Sequence, residues 1–355
     1  MPSGISKFEI VYEKKCFLAG ESLKASVLLE LENSLNCARL LVEIFGSLRV
    51  KWHKTEGGGE HAYEVAYVAQ ENYIRQGLIL WEPRDQQETL PAGSHNFKFS
   101  FPIPAYAPSN HQFAKGSVSY FCRAILVRTG FLKSAKKVVK PFGVITFYDL
   151  NADPQAAIGC QAVVEKSLGW FFRQAGDLTI TATLPKRGYI PGELVPAEFT
   201  INNTSSRTVS YLDATVEQNT VVYAHRKGDV TRELQSRHYS RTVAAGRTEL
   251  EVGPFSTKTI GWQTRLPGIA PTLRTSLYMQ IFYELRLSFA VSGWFKTKLP
   301  MSFDLIVGSV PLRTSQPVGP LPTPIQDPVL LDHTLLAELD EEPPPSYDQC
   351  AKNNP

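Results

Sequence analysis

Apolar and polar residues take turns along most of this chain. In Phe8-Glu-Ile-Val-Tyr12 every second side chain is apolar, the pattern of a strand with one face in a core and the other in water. The same period recurs in residues 26–31, 40–45, 96–101, 117–127 and 138–148. It returns in residues 178–184, 197–202, 212–218 and 276–287. Gly, Pro, Asn and Ser separate these runs and no long helical periodicity intervenes, residues 110–115 reading as a loop or short turn. Many short strands bounded by turns predict an all-β protein built of antiparallel sandwiches.

The pattern also repeats. Phe17-Leu-Ala-Gly20-Glu21 opens the first half, and Tyr189-Ile-Pro-Gly192-Glu193 opens the second, 172 residues later. Phe101-Pro-Ile-Pro104 precedes Tyr120-Phe-Cys-Arg123 as Leu266-Pro-Gly-Ile269 precedes Phe282-Tyr-Glu-Leu285. In each opening a glycine supplies a turn and a glutamate begins the next strand. Two pairs in the same order predict duplicated, immunoglobulin-like sandwiches in tandem. The sequence divides into a first sandwich over 6–150, a linker over 151–176, a second sandwich over 177–308 and a disordered Pro-rich tail over 309–355.

Composition narrows the class. With 355 residues, 43% of them hydrophobic, the chain can fill two sizeable cores. No window approaches 18 consecutive apolar residues, so no transmembrane helix is expected. The start, Met1-Pro-Ser-Gly, lacks an apolar signal-peptide region, and Pro2 is incompatible with N-myristoylation. The five cysteines (16, 37, 122, 160 and 350) form no Cys-x-x-Cys and suit free, mostly buried thiols in a reducing cytosol. Net charge is +3, but residues 311–355 hold seven acids against Arg313 and Lys352. The body is therefore basic, which suits anionic lipid headgroups or acidic protein segments. There is no nucleic-acid recognition motif, so nucleic acid is not an expected partner.

No catalytic or cofactor motif is present: no Gly-x-Ser-x-Gly, His-Glu-x-x-His, Walker A or Gly-x-Gly-x-x-Gly. The chain is read as a non-enzyme with no metal and no cofactor. Gly57-Gly58-Gly59 reads as a flexible hairpin loop, flanked by solvated His53 and His61. Lys133, Lys136, Lys137 and Lys140 cluster beside a strand. They are candidate contacts for a membrane or an acidic cargo, or lysines that guard a sheet edge. Gly169-Trp-Phe-Phe172 and Gly293-Trp-Phe295 are either core aromatics or an interfacial anchor. In the tail, Leu336-Ala-Glu-Leu-Asp340 departs by one residue from a clathrin-box pattern. Asp327-Pro-Val-Leu-Leu331 and Asp332-His-Thr-Leu-Leu336 match an Asp-x-x-Leu-Leu sorting pattern. All three also read as a weak amphipathic segment.

The most specific signal is Pro344-Pro345-Ser346-Tyr347. This Pro-Pro-x-Tyr peptide is a ligand type for WW domains. Its prolines are already held in polyproline II geometry, so docking costs little entropy. Pro344 and Pro345 are expected to lie in an aromatic groove and Tyr347 to fill a neighbouring pocket. Residues 311–355 contain 10 of the 25 prolines and no aromatic other than Tyr347. Phosphorylation of Tyr347 should abolish docking, since a dianion does not enter a largely apolar pocket.

Three stretches together resemble a known family. Phe101-Pro-Ile-Pro104, with Ala107-Pro-Ser109 and Gly116-Ser-Val-Ser-Tyr-Phe-Cys-Arg-Ala124, is similar to the run that closes the first sandwich of α-arrestins (arrestin domain-containing proteins). Leu178-Thr-Ile-Thr-Ala-Thr-Leu-Pro-Lys-Arg-Gly-Tyr-Ile-Pro-Gly-Glu193 is similar to the opening of their second sandwich. The Pro-Pro-x-Tyr tail is the third. The resemblance implies two tandem arrestin-type sandwiches over about residues 6–307. It implies a cytosolic adaptor that recruits a WW-containing HECT ubiquitin ligase of the Nedd4 class to the cytosolic parts of membrane proteins. Ubiquitination, endocytosis and endosomal sorting at the plasma membrane and endosomes would follow. Many α-arrestins have two such motifs and one is visible here, which lowers bivalent avidity for a tandem WW protein. No cysteine stands between Gln161 and Gln349, which argues against the disulfide capture of thioredoxin known in one member. A ligase-independent scaffold, like the arrestin-fold subunit of retromer, is the alternative.

Overall fold

The computed structural model describes residues 4–85, 89–129, 135–168, 176–228, 233–292 and 297–313. It is all-β, with two one-turn 3-10 segments. Strands are numbered in chain order.

In the first sandwich one antiparallel sheet joins β1 (Ile5–Tyr12), β3 (Ser22–Leu31) and β6 (Gly93–Pro102), with β3 central. The other is led by a long hairpin, β4 (Cys37–Glu56) and β5 (Tyr63–Trp81). It continues through β8 (Gly116–Arg128) to β9 (Lys136–Ile145) and β2 (Cys16–Leu18), with short β7 (His111–Phe113) also on β8. The alternation read from sequence has the expected consequence. Leu23, Val27 and Leu29 of β3 are buried, and so are Leu40, Val42 and Ile44 of β4. The sheets meet where Tyr12 and Phe142 pack edge to face at 5.6 Å.

The second sandwich repeats the plan. Strands β10 (Cys160–Ser167), β11 (Asp177–Leu184), β13 (Leu194–Asn203) and β16 (Ser256–Arg265) form one sheet. Strands β12 (Gly188–Tyr189), β18 (Thr297–Val307), β17 (Met279–Val291), β14 (Val209–Arg226) and β15 (Leu234–Val252) form the other. Phe199 and Phe289 join the layers at 5.3 Å.

The sequence repeat recurs as a repeat of contacts. Gly20 and Gly192 have φ of +94° and +86°, where glycine carries no steric penalty. Glu21 accepts from the Leu18 amide (2.9 Å) and Glu193 from the Ile190 amide (3.0 Å). Lys14 pairs with Glu21 and Lys186 with Glu193. Both lysines also lie over an aromatic ring, that of Phe17 or of Tyr189. The second repeat matches with a shift of one residue: Tyr120 donates to the Pro108 carbonyl (2.7 Å) and Tyr283, rather than Phe282, to that of Ala270 (2.6 Å).

Four expectations need correction. Residues 151–176 are not all linker, because β10 pairs with β11 along its whole length, from Cys160↔Leu184 to Ser167↔Asp177. As an edge strand it has an exposed outer face (Gln161, Val163, Glu165) and weak alternation, so the sequence hid it. Residues 110–115 contain β7. Cys37, Cys122 and Cys160 are free thiols as expected, but Cys16 is disulfide-bonded. The chain also stays attached beyond 308: Val310 bridges to Asp149, and the Arg313 amide donates to Asn151 at 2.8 Å. The tail beyond 313 lies outside the described residues.

Candidate interaction surfaces

Pro344, Pro345 and Tyr347 lie outside the described residues, as do Lys133 and both Trp-Phe clusters. The remaining lysines of the cluster are on β9. Lys136 and Lys140 stand opposite Leu126 and Cys122 of β8, whose side chains face the core. Lys137 stands opposite Ile125, on the outward face. The pleat therefore splits the cluster: Lys137 points to one side of the sheet, Lys136 and Lys140 to the other. Lys140 lies 5.7 Å from the centre of the Tyr12 ring.

The sandwiches meet along a seam that no local pattern announces. The ends of β14 and β5 pair through His225↔Val68 and Arg226↔Tyr67. This makes one continuous 11-stranded sheet across both sandwiches. Lys227 donates its amide to the Ala66 carbonyl at 2.8 Å. Trp52 and Tyr67 stack at 5.6 Å, and the Arg237 guanidinium lies 5.4 Å from the Trp52 ring centre. Tyr67 donates to Glu56 at 2.7 Å, and Arg226 pairs with the same carboxylate at 3.6 Å. A cavity of about 280 Å³ opens here, lined by Lys54, Glu56, Tyr67, Arg226, Glu233 and Gln235. Its walls are charged, unlike the mostly apolar pockets that take small molecules.

Elsewhere in the seam hydroxyl hydrogen bonds and ring packing replace the ion pairs. Ser276 donates to Glu71 at 2.6 Å, beside the Tyr73 hydroxyl. His111 shares a 3.1 Å hydrogen bond with Thr220, and Phe113 packs on Tyr239 at 5.9 Å. Burial, and secondarily the Arg241 cation, push the His111 imidazole down to about 4, so it is neutral at physiological pH. At the chain crossing, Asp153 accepts from Tyr148 (2.6 Å) and from Arg274 (3.3 Å). Burial would raise its carboxyl, but the Tyr148 hydroxyl, the Gln155 amide and the Arg274 charge hold it below the usual range. These groups join sheets and crossings rather than surround a reacting centre. No group of three or more His, Cys, Asp or Glu gathers as a metal site among the described residues.

Two sandwiches sharing one long sheet, with the duplicated Gly-Glu turns, define the arrestin class of fold. Sequence comparison agrees. Residues 7–151 match the family model "Arrestin (or S-antigen), N-terminal domain", and residues 174–312 match "Arrestin (or S-antigen), C-terminal domain". The chain belongs to the arrestin domain-containing, or α-arrestin, family. It is 24% identical over 320 residues to arrestin domain-containing protein 17 of Caenorhabditis elegans, covering 86% of this chain and 71% of that one. It is 25% identical over 354 residues to human arrestin domain-containing protein 4, covering 97% and 81%. With mouse arrestin domain-containing protein 1 the identity is 28% over 207 residues, 58% of this chain and 45% of that one.

Proposed function

We propose that this protein is a trafficking adaptor of the α-arrestin type. Its Pro-Pro-x-Tyr motif engages the WW domains of a Nedd4-class HECT ubiquitin ligase while the sandwiches engage cytosolic parts of membrane proteins. The observation that carries this reading is the coexistence of Pro344-Pro345-Ser346-Tyr347 with two arrestin domains on one chain. Each part alone is a binding module; together they join two partners. Tethering raises the concentration of cargo lysines around the ligase to about the millimolar range. The ubiquitin-transferring thiol belongs to the ligase. The adaptor acts in the cytoplasm, at the plasma membrane and at endosomes, with anionic lipid as a further contact for the basic body.

The test is made in cells expressing the full chain or Tyr347→Ala, scoring co-precipitated ligase and ubiquitin conjugates on membrane proteins. The adaptor reading predicts loss of both in the variant. Unchanged conjugation would move the assignment to a ligase-independent sorting scaffold.

A further inference from the structure

One irregular segment of the second sandwich holds the first through a serine hydroxyl. Between the end of β16 at Arg265 and the start of β17 at Met279 the chain belongs to no strand, and only Leu273 makes a bridge, to Ile281. The last five residues, Arg274-Thr-Ser-Leu-Tyr278, lie against β5. Ser276 donates to Glu71 at 2.6 Å, and Tyr73 donates to the same carboxylate oxygen at 3.1 Å. The Ser276 and Tyr73 hydroxyls are 3.2 Å apart. Glu71 stands in no ion pair among the described residues, so these hydroxyl donors are what hold its charge. Arg274, two residues before Ser276, reaches Asp153 at 3.3 Å.

The segment has the form of a kinase substrate. A kinase takes its peptide extended, and no strand has to be dismantled here. Arg274, Thr275 and Leu277 are exposed, Leu277 by 71%, while Ser276 between them is half-buried. An arginine two positions before the acceptor suits a peptide groove that carries carboxylates. A leucine one position after it suits an apolar pocket beside the reacting centre. In the transfer the Ser276 oxygen bonds the γ-phosphorus of ATP, the bond from that phosphorus to ADP breaks, and the hydroxyl proton passes to the catalytic aspartate of the kinase.

The groups already facing Ser276 decide what the phosphate does. A phosphoserine carries about −1.5 to −2 charges at pH 7 and places them against any neighbouring carboxylate as repulsion. Glu71 loses its shorter donor and meets a dianion in its place. The nearest cation along the chain is Arg274, and a phosphate that pairs with it draws it from Asp153. Both changes remove contacts that tie this segment to the rest of the protein.

We propose that Ser276 is a phosphorylation site for kinases that select arginine two positions before the acceptor, and that the phosphate releases the seam between the sandwiches at Glu71. The assignment is independent of the ligase reading, since it involves neither the Pro-Pro-x-Tyr motif nor a WW domain.

The test uses the full-length protein with ATP and the catalytic domain of protein kinase C, a kinase of that preference. Peptide mapping should place phosphate on Ser276. The label should survive Thr275→Ala and fall about tenfold in Arg274→Gln, as loss of one charge-assisted contact implies. Hydrogen exchange then reads the seam through the Lys227 amide, which donates to the Ala66 carbonyl across it. That amide should exchange about tenfold faster after phosphorylation, while amides of β3 and β13 keep their rates, the signature of a local opening. Ser276→Ala, which removes the donor but adds no charge, should change the Lys227 rate far less. Absence of phosphate from Ser276, or equal labelling of parent and Arg274→Gln, would overturn the proposal. So would an unchanged Lys227 rate in the phosphorylated protein, or faster exchange throughout both sandwiches, which is general unfolding rather than release of the seam.

Discussion

Gly46→Ala should destabilise the first sandwich by about 3 kcal/mol, from overpacking and the disturbance of a buried hydrogen bond. Gly46 stands directly opposite Tyr120 across β4 and β8. A Cβ at this position would lie 2.3 Å from Cδ1 and 2.4 Å from Cε1 of that ring. The ring has nowhere to go. Tyr120 is fully buried, packs on Phe142 at 5.8 Å, and its hydroxyl is tied to the Pro108 carbonyl at 2.7 Å. Relief requires either separating the strands or pulling the hydroxyl off its acceptor. Urea unfolding should show a lower midpoint at unchanged slope. Gly58→Ala, where a Cβ meets nothing within 4 Å, is the control and should leave the midpoint in place. A Gly46→Ala midpoint equal to the control would mean that the close approach is not as described.

Acid should weaken the protein through His111. In the folded state its pKa is about 4, depressed first by burial and then by Arg241. In the unfolded chain it returns to about 6.5. Between these values the unfolded chain binds a proton that the folded chain excludes, so stability falls as pH drops through 6.5 and levels off below about 4. The full swing is about 3 kcal/mol. His111→Gln retains a side-chain polar group near Thr220 but removes the titration. Unfolding at pH 7.5 and at pH 5 should show a smaller acid loss in the variant than in the parent. Equal losses would mean that His111 does not carry the acid sensitivity.

Strand alternation made the fold class legible, because the buried face of each sheet is continuous in sequence. The duplicated turns were legible because a left-handed glycine followed by a glutamate leaves a local signature, and Gly20-Glu21 and Gly192-Glu193 adopt the same hydrogen bonds. Strands β5 and β15 were not visible. β5 shifts register at Asn72 and Ile74, which breaks its period of two. β15 pairs only with β14, and its first half, Leu234-Gln-Ser-Arg-His-Tyr-Ser-Arg241, is largely polar because an edge strand meets water on more sides. β10 was taken for linker for the same reason. Among the candidate contacts, clustering in sequence misled: the pleat sends Lys137 to the opposite face from Lys136 and Lys140. The His111–Thr220 and Glu71–Ser276 contacts join residues far apart in the chain, and no one-dimensional pattern marks them.

The adaptor account places binding to the ligase in the tail and binding to cargo in the sandwiches. Its first half rests on four residues and is the more exposed to refutation. The most direct measurement is calorimetric titration of the purified WW region of a Nedd4-class ligase into the full-length protein, in parent and Tyr347→Ala forms. The account predicts saturable binding by the parent and at least about a tenfold loss in the variant, the effect of about 1.4 kcal/mol removed from the pocket. Equal affinity for both forms would contradict it and leave the arrestin sandwiches without a ligase to deliver.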